Sequence, residues 1–371
     1  MKQKIYLSLA QMGGNELQFI QNAFDTNWVV PLGPNVDAFE RELEKFIGQN
    51  RYVVALSAGT AAIHLGLVLL NVQAGDEVIC QSFTFAASAN PVTYLGATPV
   101  FVDSEEETWN MSPDFLEEAI LDRYAKTGRF PKAIIPVHLY GMPAQIETIC
   151  RIASKYNIPV LEDAAEAIGS EYKGQKCGTF GEFGALSFNG NKMITTSGGG
   201  ALICRTEEAA KRTVFLATQA RENRPYYYHE TIGYNYRLSN ICAGIGRGQM
   251  TVADAHVAHH KHTCDLYREL LKDVRGITLH ENPSGRFDSN YWLNTIVLDP
   301  LLRVKGQKNA YQATVQGAVG GAGGVTHAAV NAHTDCEPNA NVEAMRVGLD
   351  AMGIESRPLW KPMHKQPVYK D

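Results

Sequence analysis

Residues 178–200, GTFGEFGALSFNGNKMITTSGGG, place a lysine between a short apolar segment and a run of glycines. The segment Ala185 to Phe188 predicts a β-strand, and Gly200 to Cys204 predicts the next one. Lys192 therefore follows a strand inside a polar, glycine-rich loop. Such a lysine can form a Schiff base when its surroundings favour the neutral amine. The alternative is a surface lysine beside a glycine turn.

Upstream of this loop, short runs rich in Val and Ile alternate with helix-length segments. The predicted strands are Val53–Leu56, Asp76–Cys80, Ala97–Asp103, Ala133–His138 and Pro159–Asp163. This alternation predicts an α/β fold with a mostly parallel central sheet, flanked by helices on both faces. Active sites of such sheets lie at the carboxyl ends of the strands. Residues directly after these runs are therefore candidates for the site.

Two other strand ends carry candidate chemistry. Ser57 to Thr60 follows one strand and opens an apolar helix, whose free N–H groups could bind a phosphate; an ordinary N-cap is the alternative. Asp163 ends another strand, where a carboxylate can keep a pyridine nitrogen protonated; a helix-capping Asp is the alternative. Each signal is weak alone. With Lys192, their order and spacing match what a pyridoxal phosphate enzyme needs.

Composition excludes several other classes of protein. The chain has 371 residues, 45% hydrophobic, with 34 basic and 39 acidic side chains and a net charge of −5. No basic run favours nucleic acid or an anionic membrane surface, and no segment has the roughly 20 apolar residues that span a bilayer. Seven scattered cysteines indicate reduced thiols and a cytoplasmic location.

At about 150 residues per domain, the chain length predicts two or three domains. We expect a large domain over 1–245, whose first helix could pack on a small α+β domain over 246–371. A long helix from Asn240 to Lys272 would begin the change of pattern. The Gly/Ala-rich segment 316–330 has little that could fill a core, and it predicts a flexible loop.

The motifs together resemble the DegT/DnrJ/EryC1/StrS family of nucleotide-sugar aminotransferases, which have the aspartate aminotransferase fold (fold type I). The matching segments are SAGTAAIHL (57–65), GDEVICQSFTFAASAN (75–90), PVHLYG (136–141), LEDAAEAIGS (161–170), residues 178–200, TQAREN (218–223), GYNYRLSN (233–240) and RPLWKPMH (357–364). The SFNGNK and TQAREN segments most resemble enzymes that aminate a UDP-4-keto-6-deoxy-N-acetylhexosamine at C4. Segment 316–330 and the end of the chain soon after residue 364 depart from the family pattern.

The resemblance implies roles for matching residues. Lys192 would form the internal aldimine with pyridoxal 5′-phosphate and later move a proton. Asp163 would pair with the pyridine nitrogen, and Glu166 would approach the ring hydroxyl. Phe85 would stack on the ring, while Gly59, Thr60 and Ser187 would hold the phosphate. Asn235 would reach the phosphate in the neighbouring subunit, which implies an obligate homodimer.

The resemblance also suggests substrate contacts, each with a simpler alternative. They are Trp28, Pro31, His138, Arg221, Arg237 and His364. Loop arginines are usually solvated, and a structural histidine explains His138 equally well. His256 and His260 are four residues apart on a predicted helix, which suits a metal in principle. With no carboxylate beside them, a solvated helix face is the better interpretation, and we expect no metal.

The resemblance implies transfer of the amino group of L-glutamate to C4 of a UDP-linked 4-keto-6-deoxy amino sugar, through pyridoxamine phosphate and ping-pong kinetics. The product would serve bacterial glycan synthesis. One alternative is a related sugar 3-dehydratase, but those relatives carry His at the position of Lys192. Another is a catalytically silent scaffold or regulator, which the unusual C-terminal third alone favours.

Overall fold

The structure, a computed structural model, describes residues 4–305, 318–319, 325–326 and 340–370. Its helices are α1 (Glu16–Asp25), α2 (Pro34–Ile47), α3 (Gly59–Leu69), α4 (Asn90–Tyr94), α5 (Pro113–Thr127), α6 (Ile146–Lys155), α7 (Glu207–Ala217), α8 (Asn240–Met250), α9 (Ala253–Leu271) and α10 (Ala340–Ala351). Its strands are β1 (Tyr52–Leu56), β2 (Glu77–Gln81), β3 (Thr98–Val102), β4 (Ala133–Ile135), β5 (Leu161–Asp163), β6 (Glu171–Tyr172), β7 (Gln175–Lys176), β8 (Phe183–Ser187), β9 (Gly200–Cys204), β10 (Ile277–Leu279), β11 (Phe287–Asp288), β12 (Ile296–Leu298), β13 (Ala318–Val319) and β14 (Val325–Thr326).

A seven-stranded sheet with the order β3-β2-β4-β5-β8-β9-β1 forms the centre of the fold. Parallel bridges join its two halves, from Ile134 to Val160 and from Val137 to Asp163. Strand β9 pairs antiparallel with both β1 and β8, and the other pairs are parallel. The expected mostly parallel α/β sheet is therefore confirmed. Six strands end at the same edge.

The sheet is buried because helices cover it. Strand β9 is buried along its whole length, as are β4 and β5. Helix α3 is apolar on nearly all sides, and its residues 61–67 are buried, which is typical of a helix packed inside a large core. This packing fixes the amino terminus of α3 directly after β1, at the edge where the parallel strands end.

The predicted long helix from Asn240 to Lys272 is wrong in one respect, since it is interrupted between α8 and α9. Thr251 turns its hydroxyl back onto the carbonyl of Gly248, and Val252 leaves the helical conformation with φ −125° and ψ 6°. Side-chain bonds to the preceding turn compete with helix continuation. Between β2 and β3, the chain forms a 3-10 turn and then the short α4, whose first turn contains Pro91.

The C-terminal part adds small sheets to this core. Strand β10 pairs with β12, and β11 pairs with β6, which follows β5 in the chain. Of the Gly/Ala-rich segment 316–330, only β13 and β14 are described, and they pair antiparallel; the rest of the predicted loop lies outside the described residues. The division into domains at residue 245 stays a prediction.

Candidate active site

The amino terminus of α3 forms a backbone cradle at the carboxyl edge of the sheet. Ala58 precedes the helix in extended conformation, and no side chain caps the terminus. The N–H groups of the first turn therefore point outward with the positive end of the helix dipole. Ser187, the last residue of β8, lies beside these N–H groups. A Cβ added at Gly59 would lie only 3.0 Å from the Ser187 Cβ. Thr60 is the second residue of the helix. The cradle suits a phosphate.

Gly200, the first residue of β9, packs directly against the backbone of the cradle. A Cβ at this position would lie 2.4 Å from the Gly59 nitrogen and 2.4 Å from the Ala58 carbonyl carbon. Real Cβ atoms do not approach backbone atoms this closely, so glycine is required at the start of β9. Gly198, two residues earlier in the same loop, faces open space.

We expect Gly200→Ala to displace the start of α3 and to weaken binding of pyridoxal phosphate by about 10-fold or more, since phosphate contacts depend on backbone placement. Titration of cofactor absorbance or tryptophan fluorescence measures this. Gly198→Ala is the matched control and should bind as the wild type does. Equal affinity in the two variants would show that the cradle does not hold the phosphate.

Asp163 is held by a short chain of hydrogen bonds between buried side chains. Its Oδ2 accepts a hydrogen bond of 2.6 Å from Ser88 Oγ, and its Oδ1 accepts one of 3.1 Å from the Ala165 N–H. The Thr84 hydroxyl lies 2.7 Å from Ser88 Oγ. Ser88 and Thr84 are both buried. The carboxylate therefore has a fixed orientation, as a partner for a ring nitrogen requires.

Lys192 and Glu166 meet at the same edge. The Lys192 Nζ lies 3.2 Å from Glu166 Oε1, while Glu166 Oε2 accepts the Tyr140 N–H at 2.7 Å. Burial raises the pKa of Glu166, and the charge of Lys192 opposes that rise while Asp163 adds to it. An amine, a carboxylate with raised pKa and a fixed second carboxylate thus share one site. Perturbed groups of this kind cluster at functional sites.

The C-terminal segment 357–364 packs against Tyr140, Phe85 and Ser82, beside the candidate active site. The exposed ring of Phe85 lies 5.6 Å from the ring of Trp360, whose N–H donates to the Tyr140 hydroxyl. His364 Nδ1 lies 2.6 Å from Ser82 Oγ. The Phe85 ring is held by Trp360 and remains exposed to solvent, so it suits stacking on a planar cofactor.

Four of the predicted residues lie in a separate cleft of about 320 Å³, namely Pro31, Arg221, Asn235 and Arg237. Asn235 and Arg221 are exposed there. Arg237 is committed to the interior, because its Nη1 donates to Glu40 Oε1 at 2.6 Å and to the Ala55 carbonyl. Trp28 lies on the same loop as Pro31, and its carbonyl accepts from Asn240. The predicted site thus divides into two parts. One is the Lys192 cluster, formed by Lys192, Glu166 and Asp163 with the residues that contact them. The other is this Asn235 cleft.

His138 does not belong to either group, and its surroundings favour the structural alternative over a substrate contact. Its side chain has no exposed surface. Its Nδ1 accepts the Ala144 N–H at 3.0 Å, and its Nε2 therefore carries the proton and donates to Glu162 Oε2 at 2.9 Å. The strand ends at the expected edge, but the ring turns into the core. Both ring nitrogens are used structurally.

Three residues of the Lys192 cluster were not predicted from the sequence: Ser88, Asn290 and Trp292. Trp292 lies with its ring centroid 4.1 Å from the Lys192 Nζ. Ser88 stands within the SFTFAASAN motif, and its hydroxyl three residues after Phe85 was the available signal. Asn290 and Trp292 are far from the other motifs in the chain and gave no local signal.

Several other sequence expectations concern absences. His256 and His260 each lie near a backbone carbonyl, of Met193 and Tyr291. Within 4–305 and 340–370, no group of three His, Cys, Asp or Glu side chains is placed to bind a metal. Among the helices that the structure describes, none is long and apolar enough to cross a membrane. The six described cysteines are free thiols.

Comparison with known proteins identifies the family of this chain. Residues 10–316 match the model of the DegT/DnrJ/EryC1/StrS aminotransferase family. EpsN of Bacillus subtilis (strain 168), provisionally named a pyridoxal phosphate-dependent aminotransferase, is 44% identical over 100% of this chain and 84% of its own. GDP-perosamine synthase of Escherichia coli O157:H7 is 34% identical over 96% of this chain and 85% of its own.

Solved structures show the same fold. A DegT DnrJ EryC1 StrS aminotransferase from Brucella abortus superposes with a TM-score of 0.79 at 28% identity, over 96% of this chain and 83% of that one. A Streptococcus pneumoniae chain, provisionally named a sugar aminotransferase and solved in its PLP form, gives 0.80 at 26% identity, over 99% and 87%. The protein belongs to the DegT/DnrJ/EryC1/StrS aminotransferase family, and it is a pyridoxal phosphate-dependent enzyme of fold type I.

Proposed function

We propose that the protein transfers the amino group of L-glutamate to C4 of a UDP-linked 4-keto-6-deoxy amino sugar, in two half-reactions, for bacterial glycan precursors. The observation that carries this proposal is the Lys192 cluster, in which the amine lies 3.2 Å from Glu166 at the sheet edge shared by Asp163 and the cradle. The cradle, the fixed carboxylate and the open Phe85 ring fit pyridoxal phosphate.

When bound, the cofactor supplies a carbonyl carbon that exchanges amino groups and a ring that takes up an electron pair. The chain does the rest. Gly59, Thr60 and Ser187 would hold the phosphate at the α3 terminus. Asp163, oriented by Ser88, would keep the ring nitrogen protonated, and Glu166 would face the ring hydroxyl.

Lys192 would hold the cofactor through its amine, with the carbonyl oxygen leaving as water, and, once released, would carry a proton between the cofactor and the sugar C4. Its position beside a buried carboxylate favours this task, because proton transfer needs a donor and an acceptor within hydrogen-bond reach. Phe85 would stack on the ring. Trp28 and His364 would line the path by which substrate enters.

A second copy of the chain completes the proposal. Asn235 is exposed in a cleft apart from the Lys192 cluster, with Pro31 and Arg221 beside it. In a homodimer, this cleft would face the neighbouring subunit's cofactor, and Asn235 would reach its phosphate. Arg221, whose guanidinium lies 4.5 Å from the Tyr227 ring centroid, would bind an anionic substrate group, whereas Arg237 would anchor the cleft through Glu40.

The relatives are named for sugars that are linked to different nucleotides. One relative at 34% identity is named for a GDP-linked product, while the Pseudomonas aeruginosa UDP-2-acetamido-2-deoxy-3-oxo-D-glucuronate aminotransferase is 37% identical over 66% of this chain. The resemblance of the SFNGNK and TQAREN segments favours UDP and C4.

The test supplies purified protein with L-glutamate and either UDP-4-keto-6-deoxy-N-acetylglucosamine or GDP-4-keto-6-deoxymannose. We expect replacement of the keto oxygen by an amine, seen by mass spectrometry and located at C4 by NMR, with kcat/KM at least about 100-fold higher for the UDP sugar. A preference for the GDP sugar would overturn the nucleotide assignment and keep the aminotransfer. Loss of water without amination would indicate a dehydratase.

A further inference from the structure

The indole ring of Trp292 lies against the amine of Lys192. The Lys192 Nζ is 4.1 Å from the ring centroid, and the same atom is 3.2 Å from Glu166 Oε1. Trp292 is buried, with 4% of its surface exposed. Its Nε1–H donates to the Asn191 carbonyl at 2.7 Å. The ring thus contacts the tip of the lysine side chain and also fixes the backbone from which that side chain departs.

The loop that carries Trp292 is held in place by Asn290. Its Nδ2 donates to the Glu166 and Ile168 carbonyls, both at 2.9 Å, and its Oδ1 accepts the Trp292 N–H at 2.8 Å. Gly141 lets Asn290 approach, because a Cβ there would lie 1.9 Å from Asn290 Oδ1. Asn290 therefore joins the backbone of Glu166 to that of Trp292. The ring, the carboxylate and the amine form one rigid arrangement.

We propose that Trp292 is a positioning residue that holds the ε-ammonium of Lys192 by a cation–π contact whenever the amine is protonated and not bonded to the cofactor. This rests on the proposed function, in which the amine is released during each turnover. A long flexible side chain would otherwise sample many rotamers after release. The ring face and Glu166 restrict the ammonium to one place, between the indole and the carboxylate.

The protein contains a second lysine in a comparable arrangement, which serves as an internal reference. Lys176 Nζ lies 5.1 Å from the ring of Phe46 and 2.7 Å from Glu171 Oε1. Its side chain is 24% exposed, against 14% for Lys192. Water competes more strongly at Lys176, and a benzene ring attracts a cation less than an indole does. The contact should therefore protect Lys192 more.

The test measures how fast each lysine amine of the cofactor-free protein is reductively methylated at pH 8, by mass spectrometry of the Lys192 and Lys176 peptides. Only the neutral amine reacts, so a contact that stabilises the ammonium slows the reaction. We expect Lys192 to react about 10-fold faster in Trp292→Leu and about 3-fold faster in Trp292→Phe than in the wild type. Phe46→Leu, the matched control, should alter Lys176 and leave Lys192 unchanged.

Fluorinated tryptophan separates the charge effect from mere shielding. The chain has four tryptophans, and adding fluorine weakens the negative face of each ring with little change of shape. The methylation rate of Lys192 should rise with each added fluorine in the wild type and stay constant in Trp292→Phe. A constant rate in the wild type would overturn the proposal, even if Trp292→Leu failed to fold.

This outcome is independent of the proposed function, because methylation needs neither cofactor nor turnover. A wild-type protein that transfers no amino group, but shows the fluorine dependence, would overturn the function and keep the cation–π contact. A protein that transfers the amino group without the fluorine dependence would do the reverse.

Discussion

Replacing Lys192 with alanine should abolish amino transfer, with a loss of about 10⁴-fold or more in turnover, because the same amine would bind the cofactor covalently and move the proton. The visible absorbance of the wild-type protein with pyridoxal phosphate should bleach when L-glutamate is added. Lys192→Ala should show no such change at the same concentrations. The absorbance of dialysed protein, before and after excess glutamate, measures both.

The matched control is Lys176→Ala, which removes a partly buried lysine that also has a carboxylate and an aromatic ring as neighbours. It should bleach at the wild-type rate. Lys192→Ala also removes the charge that opposes the raised pKa of Glu166, so the carboxyl group should become more readily protonated and the fold should survive. Glutamate-dependent bleaching in Lys192→Ala would assign the covalent bond to another lysine.

Lys192, Asp163 and Gly59 could be predicted because each lies at the carboxyl end of a recognisable apolar strand or a few residues after it. Parallel strands bring their carboxyl ends to one edge, so residues more than one hundred positions apart in the chain were expected to meet. The structure places Gly59 against Ser187, and the charge of Asp163 acts on Glu166, which contacts Lys192. Their roles toward the cofactor stay proposals.

Trp292 and Asn290 could not be predicted, because their loop reaches the site through tertiary contacts that no local pattern encodes. Tyr291, which lies between them, has a φ of 49°. This backbone conformation is uncommon for a bulky residue, so the surrounding contacts must stabilise it. His138 shows the opposite difficulty. The predicted strand ends at His138, whereas β4 ends at Ile135. The sequence also does not say which way the His138 side chain turns when a carboxylate lies in the core.

That carboxylate, Glu162, should be the most sensitive structural position near the site. Its side chain has no exposed surface and accepts four hydrogen bonds. The donors are His138 Nε2, at 2.9 Å, and the backbone N–H groups of Gly178, Phe180 and Gly181, at 2.9, 2.7 and 2.7 Å. All four partners are donors, so a charged carboxylate satisfies them and tethers the turn before β8 to the end of β5.

Glu162→Gln keeps the shape but turns one oxygen into an NH₂ group that must face N–H donors. Unsatisfied buried groups of this kind cost about 1–3 kcal/mol each, and more where a charged partner is lost. We therefore expect a loss of about 3 kcal/mol, seen as a lower guanidinium midpoint. Glu182→Gln, which alters a 39% exposed carboxylate near Arg205, should change the midpoint little. Equal midpoints in the two variants would contradict the tether. A selective loss in Glu162→Gln would show that the buried carboxylate stabilises the packing of β5 against the turn before β8.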